Sequence, residues 1–60
     1  MNKTFWTQKA YEYEHNCYRF MAMALSGKFS KTISWELDRR ASVNAEMAVI
    51  AYREASRATS

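Results

Sequence analysis

The chain has 60 residues, of which 48% are hydrophobic, 15% aromatic and 25% charged, and its formal net charge is +3. This composition is typical of a folded protein and excludes an intrinsically disordered one. At this length a chain lies near the lower limit for a single hydrophobic core, so we predict one domain over residues 1–60. Such small domains usually need disulfides, a metal or oligomerisation. One cysteine excludes an internal disulfide.

Metal binding and membrane insertion are also poorly supported by the sequence. His15 and Cys17 are two positions apart and therefore lie on different faces of a helix, so we predict neither a metal site nor a cofactor. The longest apolar run covers residues 20–25, which is too short to span a bilayer. A free thiol without a secretory signal indicates a cytoplasmic protein. Oligomerisation remains as the source of additional stability.

The first predicted helix covers about residues 4–25, with Thr4 as its N-cap. It ends before Gly27, the only glycine in a chain without proline, which can adopt the left-handed conformation that terminates a helix. One helical stripe is aromatic and apolar; it consists of Trp6, Ala10, Tyr13, Cys17, Phe20, Met21 and Ala24. A second apolar stripe lies beside it and contains Tyr11, Tyr18, Ala22 and Leu25. The apolar surface is therefore wider than one packing neighbour requires.

The second predicted helix covers about residues 32–57, with Ser30, Thr32 or Ser34 as its N-cap, and frays into a small polar tail at Thr59 and Ser60. Its main stripe is rich in small residues and consists of Leu37, Ala41, Ala48, Ala51 and Ala55, with Asn44 at the midpoint. Val43, Met47 and Ile50 flank one side of this stripe, and Ala45 and Tyr52 flank the other. Alanine allows a neighbouring helix to approach closely.

These two patterns predict an all-α fold, a two-helix antiparallel hairpin that closes at Gly27. Large side chains of the first helix would face small ones of the second, with Cys17 opposite Ala41 and Ala10 near Ala48. Each helix retains an unmatched apolar stripe, and we therefore predict a homodimeric four-helix bundle. The predicted dimer interface consists of Tyr11, Tyr18, Leu25, Val43, Met47 and Ile50.

No catalytic constellation is visible, and we predict that the chain is not an enzyme. Cys17 lies on the core stripe and is expected to be a packed, inert thiol. His15 lies on the polar arc without a nucleophile at helical spacing. Asn44 has two open interpretations: it sets the register of an oligomer, or it lies at the interface edge or bonds to Tyr13 within the hairpin.

The sequence favours a small adaptor or inhibitor that acts through a helical surface rich in aromatic residues and methionine. Phe5, Met23 and Trp35 lie outside the main stripes and are the predicted residues for binding an unidentified host protein. We expect such a chain among accessory proteins of phages or other mobile elements.

The alternative is a small dimeric regulator that binds RNA or DNA through basic patches at the ends of the hairpin. The residues that would neutralise phosphates are Lys28, Lys31, Arg39, Arg40, Arg53 and Arg57. Glu36 and Glu54 lie at helical spacing from Arg40 and Arg57 and are expected to offset their charge.

Overall fold

A computed structural model describes residues 2–58, which form two helices and no strand. Helix α1 is Lys3–Leu25 and helix α2 is Lys31–Arg57. The helices pack along each other as a hairpin with extents of 45 × 12 × 11 Å. The predicted all-α fold and its two helices are confirmed, and the start of each helix lies one residue before the predicted one. The predicted frayed tail, Thr59 and Ser60, lies outside the described residues.

Side chains just before each helix cap its N-terminus. Asn2 has extended backbone, and its Oδ1 accepts a hydrogen bond from the Phe5 amide at 2.7 Å. The prediction of Thr4 as the cap is therefore wrong: Thr4 lies within α1, because asparagine two residues earlier supplies the acceptor. Ser30 caps α2 as one of the three predicted candidates, with its Oγ accepting from the Ile33 amide at 3.3 Å.

The connection between the helices depends on Ser26 and Gly27. The Ser26 hydroxyl donates to the Met23 carbonyl at 2.7 Å and accepts from the Lys28 amide at 3.3 Å. Gly27 has a φ of 75°, which confirms the predicted left-handed conformation. Because L-residues adopt this conformation only with strain, glycine at this position permits the chain to leave α1 and turn back.

The core lies along the seam between the helices and is made almost entirely of small side chains. Its buried residues all belong to the predicted main stripes: Ala10, Cys17, Leu37, Ala41, Ala48, Ala51 and Ala55. By contrast, the aromatic rings of Trp6, Tyr13 and Phe20 are only half-buried. Within residues 2–58, Leu37 is the only large side chain in the buried set. The seam therefore brings the helices close together but removes little apolar surface from water.

We predict that replacing Gly27 with alanine lowers the free energy of unfolding by about 1 kcal/mol, the strain of a left-handed L-residue. No atom lies within 4 Å of the Cβ that alanine would add, so a steric clash does not contribute. Gly27→Asn is the matched control and should lower the free energy of unfolding by less, since asparagine tolerates this conformation. Chemical denaturation at one protein concentration measures both, and an alanine variant as stable as the parent would contradict the assignment.

Candidate interaction surfaces

Most of the large apolar side chains of the hairpin are exposed to solvent. This is a direct result of the narrow alanine seam, which leaves few positions where a large side chain is covered on all sides. The exposed set includes all nine predicted dimer-interface and partner-binding residues: Phe5, Tyr11, Tyr18, Met23, Leu25, Trp35, Val43, Met47 and Ile50. Exposed apolar patches on small proteins mark interaction sites.

One side of the hairpin carries a cluster that we call the tyrosine face; it consists of Tyr11, Tyr18, Met21, Leu25, Val49 and Tyr52. Tyr11 and Tyr52 join the two helices through an edge-to-face contact, with ring centroids 6.2 Å apart and an interplanar angle of 80°. Such aromatic pairs add about 0.5–1.5 kcal/mol beyond the burial of their area. Tyr18 and Leu25 follow Tyr11 at seven-residue intervals and continue its line along α1.

A shallow groove between the helices runs along the tyrosine face. Part of it is a cleft of about 160 Å³ lined by Glu14, Cys17, Tyr18, Ala45, Ala48, Val49 and Tyr52. A neighbouring cleft of about 170 Å³ is lined by Cys17, Met21, Asp38, Ala41, Ser42 and Ala45. Four of the seven α2 residues that line these clefts are alanine or serine, and Tyr18 of α1 stands beside them.

Val43, Met47 and Ile50 form a different surface, which we call the methionine shoulder. Each residue turns a helix by about 100°, so Met47 and Val49 lie on opposite sides of the buried Ala48. Since Val49 belongs to the tyrosine face, the methionine shoulder lies on the other side of α2. The structure thus divides the six predicted dimer-interface residues between two surfaces, and one flat partner surface cannot cover both. The interface itself stays a prediction.

The three predicted partner-binding residues are not brought together. Phe5 lies edge-on to Trp6 near the start of α1, with ring centroids 5.2 Å apart, and the Lys9 Nζ lies 5.9 Å from the Phe5 centroid. Met23 lies 18 residues further along the same helix, a distance of about 27 Å at 1.5 Å per residue. Trp35 belongs to the first turns of α2, where it is 62% exposed. These residues therefore mark separate positions on the hairpin.

The indole nitrogen of Trp6, near the N-terminal end of α1, is buried without a hydrogen bond to any described residue, which the sequence did not predict. The Trp6 Nε1 is inaccessible to water and has no hydrogen-bond partner within residues 2–58. An unsatisfied buried donor costs about 1–3 kcal/mol. Packing at this end of the hairpin is therefore not optimal.

The basic residues are exposed but partly neutralised within α2. The predicted pairs are confirmed: Arg40 Nε lies 3.5 Å from Glu36 Oε1, and Arg57 Nη1 lies 3.5 Å from Glu54 Oε1. Exposed pairs of this kind contribute about 0–1 kcal/mol. The Arg39 guanidinium lies 5.7 Å from the Trp35 ring centroid, within the range of a cation–π interaction. Lys28 and Lys31 are exposed at the same end of the hairpin.

Trp35 also borders an apolar cleft of about 430 Å³ near the turn. Its lining residues are Phe20, Thr32, Ile33, Trp35, Glu36, Leu37 and Arg40. Phe20 of α1 and Leu37 of α2 both contribute to it. This cleft combines aliphatic and aromatic side chains with the paired charges of Glu36 and Arg40.

Reactive groups are dispersed over the hairpin. Cys17 is buried, with its Sγ 3.9 Å from the Met21 Sδ, as the prediction of a packed thiol requires. His15 is exposed. In the described part of the chain, no three His, Cys, Asp or Glu side chains converge to hold a metal ion.

Asn44 is half-buried, and its Nδ2 donates to the Arg40 carbonyl one turn earlier at 2.9 Å. The predicted bond to Tyr13 is not among the hydrogen bonds of residues 2–58. The amide is thus satisfied within its own helix, and a role in oligomer register stays a prediction.

The surroundings of Tyr52 shift its ionisation. Its hydroxyl donates to Glu14 Oε2 at 3.4 Å, across the two helices. Partial burial raises the pKa of Tyr52 above its ordinary value of 10.0, and the negative charge and hydrogen bond of Glu14 raise it further. Both effects disfavour the phenolate.

Neither helix, over the residues that the structure describes, contains a segment long and apolar enough to cross a lipid bilayer. Comparison with protein-family models, curated proteins and solved structures finds no match to this chain.

We predict that Glu14→Gln lowers the pKa of Tyr52, because it removes a neighbouring negative charge. Absorbance of the phenolate during alkaline titration measures the effect, and Tyr52→Phe identifies which transition belongs to Tyr52. The folded pKa lies above the unfolded value, so the contribution of Tyr52 to stability is complete below about pH 10 and falls as the pH rises through the folded pKa. Glu12→Gln, an exposed change of equal charge, is the control. An unchanged titration in Glu14→Gln would show that the contact is absent.

Proposed function

We propose that this chain is a small non-enzymatic protein–protein interaction module, an adaptor or inhibitor that works as a homodimeric four-helix bundle. The observation that carries the proposal is the surplus of exposed apolar surface on an incomplete core. A hairpin with a core of alanines, one cysteine and one leucine has too little buried area to offset the conformational entropy of ordering its residues.

The accessible surface area and the radius of gyration of the chain both support the need for a partner. The accessible surface of the chain is 4737 Å², whereas a compact monomer of this length exposes about 4,000 Å². The radius of gyration is 13.7 Å, compared with about 10 Å for a compact domain of 60 residues. The excess surface, about 700 Å², is close to the 800 Å² or so that each partner buries in a standard interface.

Binding of a further protein is supported by the kind of side chains exposed. Aromatic residues, methionine and arginine are enriched at interface cores, and tryptophan and arginine dominate measured hot spots. Trp35 and Arg39 form such a pair beside the apolar cleft near the turn. Phe5 and Met23 add apolar side chains elsewhere on the hairpin.

We expect Trp35→Ala to weaken capture of a host protein by about thirtyfold, the size of a hot-spot loss, without reducing helicity. Phe5→Ala should weaken capture of the host protein by a smaller factor. The measurement is affinity capture by the tagged chain from its native host with quantitative mass spectrometry, alongside circular dichroism. His15→Ala, an exposed polar change, is the control. Wild-type recovery of every captured protein by Trp35→Ala would contradict a binding role for this residue.

One observation favours the alternative function, a nucleic-acid-binding regulator. The exposed Trp35 ring, with the Arg39 guanidinium 5.7 Å from its centroid, resembles the platforms on which unpaired bases stack, and Lys28 and Lys31 lie at the same end. Arg40 and Arg57 are less available, because each pairs with a glutamate.

If this alternative holds, the chain binds single-stranded nucleic acid at low salt, and the affinity falls steeply as salt rises. Arg39→Gln and Trp35→Ala should each weaken binding, whereas Arg57→Gln should have a smaller effect. Fluorescence anisotropy with a labelled single-stranded oligonucleotide and a generic duplex measures this. Absence of binding at low salt would eliminate the alternative.

A further inference from the structure

The tyrosine face contains both a ridge and a groove. The ridge is the line of Tyr11, Tyr18 and Leu25 along α1, which are 61%, 63% and 83% exposed. The groove is the adjacent seam on the same side, where Ala41, Ser42, Ala45 and Ala48 of α2 form much of the α2 wall, together with Asp38, Val49 and Tyr52. One surface therefore presents large side chains beside a depression whose α2 wall is in large part alanine and serine.

We propose that a second copy of this chain covers the tyrosine face, with the ridge of each subunit lying in the groove of the other. This inference rests on the proposed homodimer and specifies which of its surfaces forms the interface. The methionine shoulder is then excluded from the dimer contact and lies on the outside of the assembly.

The spacing of the ridge supports this arrangement. Its members recur every seven residues, or about 10 Å along the helix, which is the period at which side chains of one helix insert between those of another. The groove follows the same hairpin axis along α2, from Asp38 to Tyr52. Ridge and groove therefore extend in parallel along one side of the molecule.

A two-fold axis requires a surface that is complementary to itself, because the same patch contacts its own copy. The tyrosine face meets this requirement, since it supplies both the inserting and the receiving element. The methionine shoulder consists of three exposed side chains of 52%, 37% and 46% accessibility, and none of them lines the two clefts of the groove.

The polar groups of the groove fit tyrosine better than a purely aliphatic side chain. Glu14 and Asp38 lie in its walls, and Glu14 already accepts a hydrogen bond from Tyr52. A buried phenol hydroxyl needs such an acceptor, while its ring supplies apolar contact. The ridge tyrosines of a second copy bring both properties to the groove.

The test compares two glutamate substitutions on opposite sides of the hairpin, both at exposed positions. Tyr18→Glu places a charge in the proposed interface, and Met47→Glu places the same charge on the methionine shoulder. Sedimentation equilibrium and light scattering of the full chain over a range of concentrations measure the dissociation constant of the dimer. We expect wild type and Met47→Glu to be dimers of similar affinity, and Tyr18→Glu to dissociate about a hundredfold more readily, because its charge would be desolvated.

Two results would overturn the inference. A wild type that stays monomeric removes the homodimer altogether, and with it this part of the proposed function. A wild-type dimer that Met47→Glu disrupts, while Tyr18→Glu does not, leaves the homodimer intact but places the interface on the methionine shoulder.

A second variant decides the question if Tyr18→Glu does not fold. Ala45→Phe fills the groove from an exposed position of the hairpin and removes no contact within it. A weakened dimer supports the ridge-in-groove arrangement, whereas wild-type affinity overturns it.

Discussion

The close approach of the two helices along a seam of small side chains is the constraint on which the rest of this structure depends. Alanines at positions 41, 48, 51 and 55 let α1 lie directly against α2. The same residues bring almost no side-chain volume into the core. Hydrophobic stabilisation follows the apolar area removed from water, at about 25 cal/mol per Å². A seam of this kind sets the geometry of the hairpin and by itself buries few large apolar side chains.

The distribution of large side chains follows from this seam. With the helices in close contact, rings such as Trp6, Tyr13 and Phe20 cannot enter the space between them and lie along its edges, half-buried. The tyrosines at positions 11 and 18 are exposed on one side, where Tyr18 borders the groove. Large apolar side chains that would be buried in the core of a larger protein are therefore on the surface of this one. This is the physical basis for proposing that the chain acts by association, first with a second copy and then with another protein.

The two sides of the hairpin differ in what they offer a partner. The tyrosine face combines a ridge, a groove and hydrogen-bond acceptors, whereas the methionine shoulder is a short row of aliphatic and thioether side chains. Methionine is flexible and polarizable and adapts to irregular partners. A dimer closed through the tyrosine face would present two methionine shoulders and two copies of the cleft beside Trp35. Such an assembly is bivalent, and linked sites raise the effective affinity for a multivalent target.

The sequence by itself determined the elements and the seam. Glycine and proline usage located the turn, and the spacing of alanines, Cys17 and Leu37 identified every buried residue among positions 2–58, because helical periodicity is a local property. The sequence also showed a second apolar stripe on each helix. The prediction placed these two stripes in one interface, made of Tyr11, Tyr18, Leu25, Val43, Met47 and Ile50. Only the tertiary structure decided that these stripes lie on different sides. Periodicity gives the angle of a residue about its own helix axis, whereas the rotation of two antiparallel helices about the seam determines which stripes share a side.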